Sequence, residues 1–160
     1  MRKKQLKGYG ENHTYLYTGK GLLGLEKSSY MGPGTNLTKR LKMNSQPKSY
    51  SDKVSQAHDI RYGLTENTVD IRKADNKMLQ SLKKASNEKL DYQFNIKQGQ
   101  VGIKSKIFLE DYMKINPKTF ASFGKNDLSK EEIDLYTNKL NELEMEGFGY
   151  KRKIIKKCKF

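Results

Sequence analysis

The sequence of 160 residues is poor in cysteine and contains no long apolar run. Its one cysteine cannot form an internal disulfide, which excludes the disulfide-stapled architecture of small secreted enzymes. No stretch approaches the roughly 18 to 20 apolar residues of a membrane span, and the charged segment at residues 1–7 lacks the apolar region of a signal peptide. We therefore expect a protein that is made in a reducing compartment and is not secreted by a signal peptide.

Acidic residues are also scarce, since 18 of them face 32 basic residues and leave a net charge of +14. The excess is concentrated at the ends, because residues 1–9 and 149–160 carry ten basic residues and no acidic one. Such ends either bind an anionic partner such as nucleic acid or remain solvated tails, and both interpretations stay open. An apolar content of 34% fits one domain with a modest core.

A glycine loop precedes a His-Asp pair. The loop reads Tyr30-Met31-Gly32-Pro33-Gly34, and the pair opens the segment His58-Asp59-Ile60-Arg61-Tyr62. Glycine accepts backbone angles that side chains forbid, so such a loop can turn its carbonyl oxygens toward one point. Calcium takes six to eight oxygen ligands, and Asp59 is a nearby carboxylate. The pattern indicates calcium-assisted ester hydrolysis.

Helical spacing lets one segment present both groups. Neighbours on a helix point about 100° apart, so His58 and Asp59 can face a substrate and an adjacent ion. Tyr62 lies one turn later on the same face as His58. In the next helical segment, Asp75 lies on an apolar stripe made by Ile71, Met78 and Leu82. A buried acid needs a partner, so we expect Asp75 to be hydrogen-bonded if this face is buried.

Together, the loop, the His-Asp-x-x-Tyr motif and the later Ala-Asp pair resemble the phospholipase A2 family, most closely its parvoviral branch. The resemblance covers residues 29 to about 112. It implies a mainly α fold, with two catalytic helices, a calcium loop and no disulfides. It also implies that His58 is the general base, that Asp75 orients it and that Tyr62 donates a hydrogen bond to Asp75. Because only seventeen residues separate His58 from Asp75, Asp70 remains the alternative orienting carboxylate.

The same resemblance implies a calcium ion (Ca2+) as cofactor. The ion would be held by Asp59 and by loop carbonyls, those of Tyr30, Gly32 and Gly34. The Gly32 amide would also donate to the oxyanion. The chain departs from the secreted members of the family, which have a second glycine directly after the loop, because Thr35 follows Gly34 here.

The implied activity is hydrolysis of the sn-2 ester of glycerophospholipids, with a water molecule as the nucleophile. The parvoviral likeness places such an enzyme in a virion, where it breaches a membrane during infection, and in the host cytoplasm or nucleus before assembly. Its partners would be a phospholipid membrane surface and capsid proteins. The alternative is a non-enzymatic minor capsid protein whose basic tails bind the viral genome or activate a viral protease.

A second resemblance concerns the ends. Two segments of the chain resemble the cleavage pattern of adenovirus-type proteases: Leu6-Lys7-Gly8-Tyr9-Gly10 and Met145-Glu146-Gly147-Phe148-Gly149. Cleavage would fall between Tyr9 and Gly10 and between Phe148 and Gly149. The released basic peptide resembles the C-terminal peptide of adenovirus protein VI, which binds and activates a viral cysteine protease. Cys158 would be its thiol, although a lysine separates Cys158 from the final phenylalanine.

The remaining pattern predicts four segments: a basic end at 1–9, a phospholipase A2-like domain at 10–115 with an irregular lead-in, a helical extension at 116–148 and a basic peptide at 149–160. A turn at 47–51 precedes a helix predicted at roughly 51–63, and Thr65 or Asn67 can cap a second at roughly 67–90. A capping box at Ser129 opens a third that ends near Met145. Gly99 and Gly102 predict a turn within the apolar segment 92–113. That segment supplies either core or a lipid entrance. The third helix should dock onto the domain or onto a capsid protein.

Overall fold

The computed structural model describes residues 17–19, 25–32, 35–116 and 128–146. These ranges contain a short hairpin and five helices, in the order β1 (Tyr17–Gly19), β2 (Leu25–Lys27), α1 (Leu37–Lys42), α2 (Tyr50–Gly63), α3 (Thr68–Asn87), α4 (Gln93–Met113) and α5 (Lys130–Met145). The two strands are antiparallel, with Tyr17 opposite Lys27. The predicted mainly α fold is confirmed. Gly34, both predicted cleavage sites and Cys158 lie outside the described residues.

Side-chain caps set where three helices begin. Ser49 caps α2, Asn67 caps α3 and Ser129 caps α5, each by accepting a hydrogen bond from the main-chain N–H three residues later. At Ser129 the Glu132 side chain reaches back to the cap, so the predicted capping box is present. Caps are local features, which is why the sequence predicts those of α3 and α5; the Ser49 cap lies in a segment that the sequence predicts only as a turn.

The predicted turn at Gly99 and Gly102 is wrong, because α4 runs unbroken from Gln93 to Met113. A Cβ at Gly99 would lie 2.9 Å from Leu82 Cδ1, so this glycine allows α4 to approach α3 closely. A Cβ at Gly102 would meet nothing within 4 Å. The glycines therefore mark a close helix contact and an open surface position, and neither breaks the helix.

Two apolar clusters form the core, and α2 lies between them. The first joins α1, α2, α5 and the loop before α1; its members are Tyr30, Leu37, Leu41, Ala57, Ile60, Tyr136 and Leu143. The second joins α2, α3 and α4; its members are Val54, Met78, Leu82, Ala85, Ile96 and Ile103. Because α2 contributes to both clusters, its position is fixed from two sides.

The helix α5 docks onto the domain itself. The buried Tyr136 hydroxyl lies 2.9 Å from Thr38 Oγ1, and Arg61 and Lys77 each pair with Glu144, at 3.0 and 2.8 Å. These contacts join α5 to α1, α2 and α3. Among the described residues, no helix is long and apolar enough to cross a membrane.

Candidate active site

The loop before α1 is fixed to α2 by one buried carboxylate. Asp52, in the first turn of α2, accepts hydrogen bonds from the main-chain N–H groups of Ser29, Tyr30 and Met31, at 2.8, 2.6 and 3.0 Å. A fourth N–H, that of Lys48, donates at 2.8 Å. Charge-assisted hydrogen bonds of this kind satisfy the buried carboxylate. The loop is thereby held against the helix that carries His58.

Sequence reasoning did not identify Asp52. An acid three residues after a serine cap is the ordinary pattern of a helix start, so nothing local distinguishes it. Its contacts with the loop span 21 to 23 residues of sequence. Only the fold brings the loop to it.

Further contacts and a backbone angle define residues 28–32 of this loop. The Tyr30 side chain is buried, its hydroxyl donates to the Ser45 carbonyl at 2.7 Å, and burial raises the pKa of Tyr30 to about 12. The Met31 carbonyl accepts from Ser28 Oγ at 3.1 Å. Gly32 has a φ of 110°, a conformation that L-residues rarely adopt, so this position requires glycine.

His58, Tyr62 and Asp75 meet between α2 and α3. His58 Nε2 lies 2.9 Å from Asp75 Oδ1, and the Tyr62 hydroxyl donates to the same oxygen. His58 and Asp75 are both buried. Asp70 lies in the first turn of α3 and pairs with Lys73 at 3.2 Å, so the structure brings Asp75 and not Asp70 to the histidine.

The second oxygen of Asp75 contacts a lysine that sequence reasoning missed. Lys106 Nζ, from α4, lies 2.7 Å from Asp75 Oδ2 and also pairs with the buried Glu110. Glu110 in turn lies 3.1 Å from Arg72 Nη2. Lys106 and Glu110 lie one helical turn apart, but this spacing alone does not reveal that they face Asp75 on another helix.

Hydrogen bonding sets the ionisation of these groups. Burial alone would raise the pKa of Asp75, but hydrogen bonds from His58, Lys106 and Tyr62 outweigh it and lower that pKa. Burial alone would lower the pKa of His58, but Asp59 and Asp75 outweigh it and raise that pKa. Burial, reinforced by Asp75, raises the pKa of Tyr62. Asp75 is therefore an ionised acceptor and Tyr62 a protonated donor.

The tautomer of His58 follows from its contacts. An ionised carboxylate only accepts hydrogen bonds, so in neutral His58 the proton lies on Nε2, toward Asp75. This leaves the lone pair on Nδ1. Nδ1 lies 3.7 Å from Asp59 Oδ1, beside the partly exposed Asp59 carboxylate. The arrangement can therefore accept a proton at Nδ1 while Asp75 holds the ring.

The calcium ligands that the sequence predicts are all oxygen atoms. Within the part of the chain that the structure describes, no group of three or more His, Cys, Asp or Glu side chains could hold a metal. The predicted site depends instead on one carboxylate and on main-chain carbonyls, of which Tyr30 and Gly32 belong to the anchored loop. An all-oxygen donor set is what calcium prefers.

Comparison with known proteins places the chain in a family. A family model described as a phospholipase A2-like domain matches residues 21–101, which include the loop, His58 and Asp75. No curated protein and no solved structure matches the chain. Because the family model spans half of the sequence and contains the whole His-Asp-Tyr arrangement, the chain belongs to the phospholipase A2-like domain family.

Proposed function

We propose that the protein is a calcium-dependent phospholipase A2 that hydrolyses the sn-2 ester of glycerophospholipids. The observation that carries this proposal is the buried contact of His58 with Asp75, at 2.9 Å, in a chain of the phospholipase A2-like family. The contact leaves one imidazole nitrogen for chemistry and directs it toward Asp59.

His58 would act as the general base. Its Nδ1 accepts the proton of the attacking water, while Asp75 keeps the ring oriented and stabilises the imidazolium that forms. Tyr62 and Lys106 hold the two oxygens of Asp75, so the carboxylate cannot rotate away from the ring. No covalent intermediate is needed.

The nearby serines support a water nucleophile. The hydroxyls of Ser28, Ser29 and Ser55 donate to the main-chain carbonyls of Met31, Gln46 and Ser51 at 3.0 to 3.1 Å. Each hydroxyl is thus committed to stabilising the backbone. A serine nucleophile would instead require a hydrogen bond to the base.

Calcium would be held by Asp59 and by the carbonyls of Tyr30, Gly32 and Gly34. Bound there, it would supply a Lewis acid for the ester carbonyl and the phosphate. The Gly32 N–H is the proposed donor to the oxyanion. Residues 29–31 of the loop are anchored to α2 by Asp52, which is not among the proposed ligands.

We further propose that the enzyme belongs to a virion and breaches a host membrane during infection, as the likeness to the parvoviral branch implies. The competing proposal is a non-catalytic capsid protein with basic tails. The enzyme is favoured by the ionic network of Asp75, Lys106 and Glu110, since burying several charges is costly and a scaffold could replace them with apolar residues.

The test is the release of fatty acid from phospholipid labelled at the sn-2 position, with sn-1-labelled substrate as the control. His58→Gln should lower the rate by about 10² to 10⁴ and leave the helical signal and calcium affinity unchanged, since only the base is lost. Asp59→Asn should abolish calcium binding and activity together, and a chelator should have the same effect on the unmodified chain.

His13→Gln is the control for a histidine substitution outside the site. Activity of His58→Gln within a few-fold of the unmodified chain would contradict the assignment of the base. Hydrolysis that resists a chelator would show that calcium is not the electrophile.

A further inference from the structure

One face of α4 exposes large apolar side chains to solvent. Phe94, Val101, Phe108 and Tyr112 are between 52 and 76% exposed. At 100° per residue, spacings of seven, seven and four place them along one line, about 27 Å long. We call these four residues the outer face of α4.

The outer face lies opposite the side of α4 that packs. The inner side, which contains Ile96, Gly99, Ile103 and Glu110, is buried against α3 and the catalytic network. The rings of Phe108 and Tyr112 stack with centroids 5.4 Å apart, so together they form one aromatic surface. Large apolar side chains aligned on one side of a surface helix mark an interaction site more often than scattered single residues do.

The charges beside the outer face are mainly basic. Lys97 and Lys104 are exposed along one flank of it. Both acids of α4 are paired with basic side chains, since Glu110 is buried against Lys106 and Arg72, and Asp111, which is exposed on the same flank as Lys104, pairs with Arg72 at 2.8 Å. The helix thus combines aromatic and aliphatic groups with flanking lysines, which is the composition of a helix lying in a lipid interface.

We propose that the outer face of α4 docks the protein onto an anionic phospholipid surface. Phe94, Val101 and Phe108 enter the boundary between headgroups and acyl chains, and Tyr112 keeps its hydroxyl at the headgroups. Lys97 and Lys104 bury their stems and direct their ammonium groups to the lipid phosphates. The inference rests on the proposed function, which makes the bilayer the source of substrate.

Docking and catalysis would share one helix. Lys106 reaches Asp75 from the inner side of α4, while Phe108, half a turn away in sequence, faces solvent. The substitutions that test docking therefore leave the inner contacts in place.

The experiment uses the full chain and vesicles of phosphatidylcholine with about 30% phosphatidylserine, in about 0.5 M salt to screen the basic ends. The variant Phe108→Ser/Tyr112→Ser should bind the vesicles at least about ten-fold more weakly, because two large apolar groups no longer leave water. It should hydrolyse vesicle lipid correspondingly slowly, and hydrolyse a soluble short-chain phospholipid at the unmodified rate.

The matched control is Met43→Ser/Val69→Ser, which removes two apolar side chains of similar exposure, 65 and 60%, from other elements. It should change neither vesicle binding nor hydrolysis. Equal vesicle binding by the two double variants would overturn the proposal. So would a change confined to self-association in sedimentation, which would assign the face to a second copy of the chain.

A second variant avoids any question of folding. Lys97→Glu/Lys104→Glu, measured in low salt, should weaken binding to anionic vesicles by about five-fold or more per lysine and leave weak binding to pure phosphatidylcholine unchanged. Insensitivity to this charge reversal would also overturn the proposal. If the unmodified chain hydrolyses neither substrate, the proposed function fails, while vesicle binding still decides the docking surface.

Discussion

The charge state of His58 depends on the carboxylates beside it. Burial favours neutral imidazole, and the Asp59 and Asp75 carboxylates reverse that preference. The pKa of His58 in the fold is therefore above its ordinary value of 6.5. Protonation of His58 stabilises the fold fully below about pH 6.5, and this contribution is lost as the pH rises through the folded pKa.

Asp75→Asn should lower the pKa of His58. The neutral amide no longer stabilises the imidazolium, and the Lys106 ammonium, which keeps only the Glu110 carboxylate as a partner, repels it. An NMR titration of the imidazole signals measures this in calcium-free solution. The chain has only two histidines, so the imidazole signals that remain in His13→Gln belong to His58. An unchanged or higher pKa would show that Asp75 does not set the charge of His58.

At this scale the sequence predicted the groups that share a helix face and missed those that arrive from elsewhere. Tyr62 lies one turn after His58, and Asp75 lies on an apolar stripe where an acid needs a partner, so spacing and burial cost both pointed to them. Lys106 contacts Asp75 across 31 residues of sequence. Periodicity within one helix does not reveal a contact with a residue on another helix.

Among the elements, α2 and the loop behave as one unit because Asp52 joins them. Asp52→Asn should lower the free energy of unfolding by about 1.5 to 3 kcal/mol, since an amide has one acceptor oxygen for the four N–H groups and places its own NH₂ against the others. Calcium affinity should fall with it, because the loop loses its anchor. Urea denaturation and calcium titration calorimetry measure the two effects.

Asp70→Asn is the matched control. Asp70 is also an acid in the first turn of a helix, but its contact is an exposed pair with Lys73. The substitution should change stability by less than about 1 kcal/mol and leave calcium binding unchanged. If Asp52→Asn behaves like this control, the loop does not depend on its carboxylate.

The two glycines of α4 should respond in opposite directions to alanine. Gly102→Ala should stabilise the fold by roughly 0.5 to 1 kcal/mol, because the site is open and alanine favours the helix. Gly99→Ala should cancel that gain or destabilise by about 1 to 3 kcal/mol, since the added methyl meets Leu82 at 2.9 Å and Met78 at 3.5 Å. Urea denaturation of the two alanine variants measures both effects. Equal changes in the free energy of unfolding would contradict the close approach of α4 to α3.

In the whole molecule, the sequence predicted the elements better than their arrangement. The caps at Ser49, Asn67 and Ser129 define three helix starts locally. The short hairpin and α1 were missed, because three-residue strands and a six-residue helix give almost no periodicity. The apolar stripe of α5 predicts that it docks but not where, and only the fold places Tyr136 and Leu143 in the cluster with Ile60.

The basic ends should be separable from catalysis. Residues 1–9 and 149–160 carry ten basic residues, whereas residues 10–148 have only four more basic than acidic residues and include every residue of the candidate site. The chain from Gly10 to Phe148 should therefore hydrolyse a soluble short-chain phospholipid within about two-fold of the full chain, because general-base catalysis by His58 needs none of the removed groups.

Binding to nucleic acid should behave oppositely. Each phosphate that a lysine or arginine neutralises adds about 0.7 to 0.9 to the slope of log affinity against log salt, so removing the ends should flatten that slope by several units.

If the ends are cleaved at the two predicted sites, mass spectrometry of the protein from virions should show a chain that begins at Gly10 and ends at Phe148. Intact chains in virions would refute processing. In the truncation experiment, loss of hydrolysis would show that catalysis requires the basic ends.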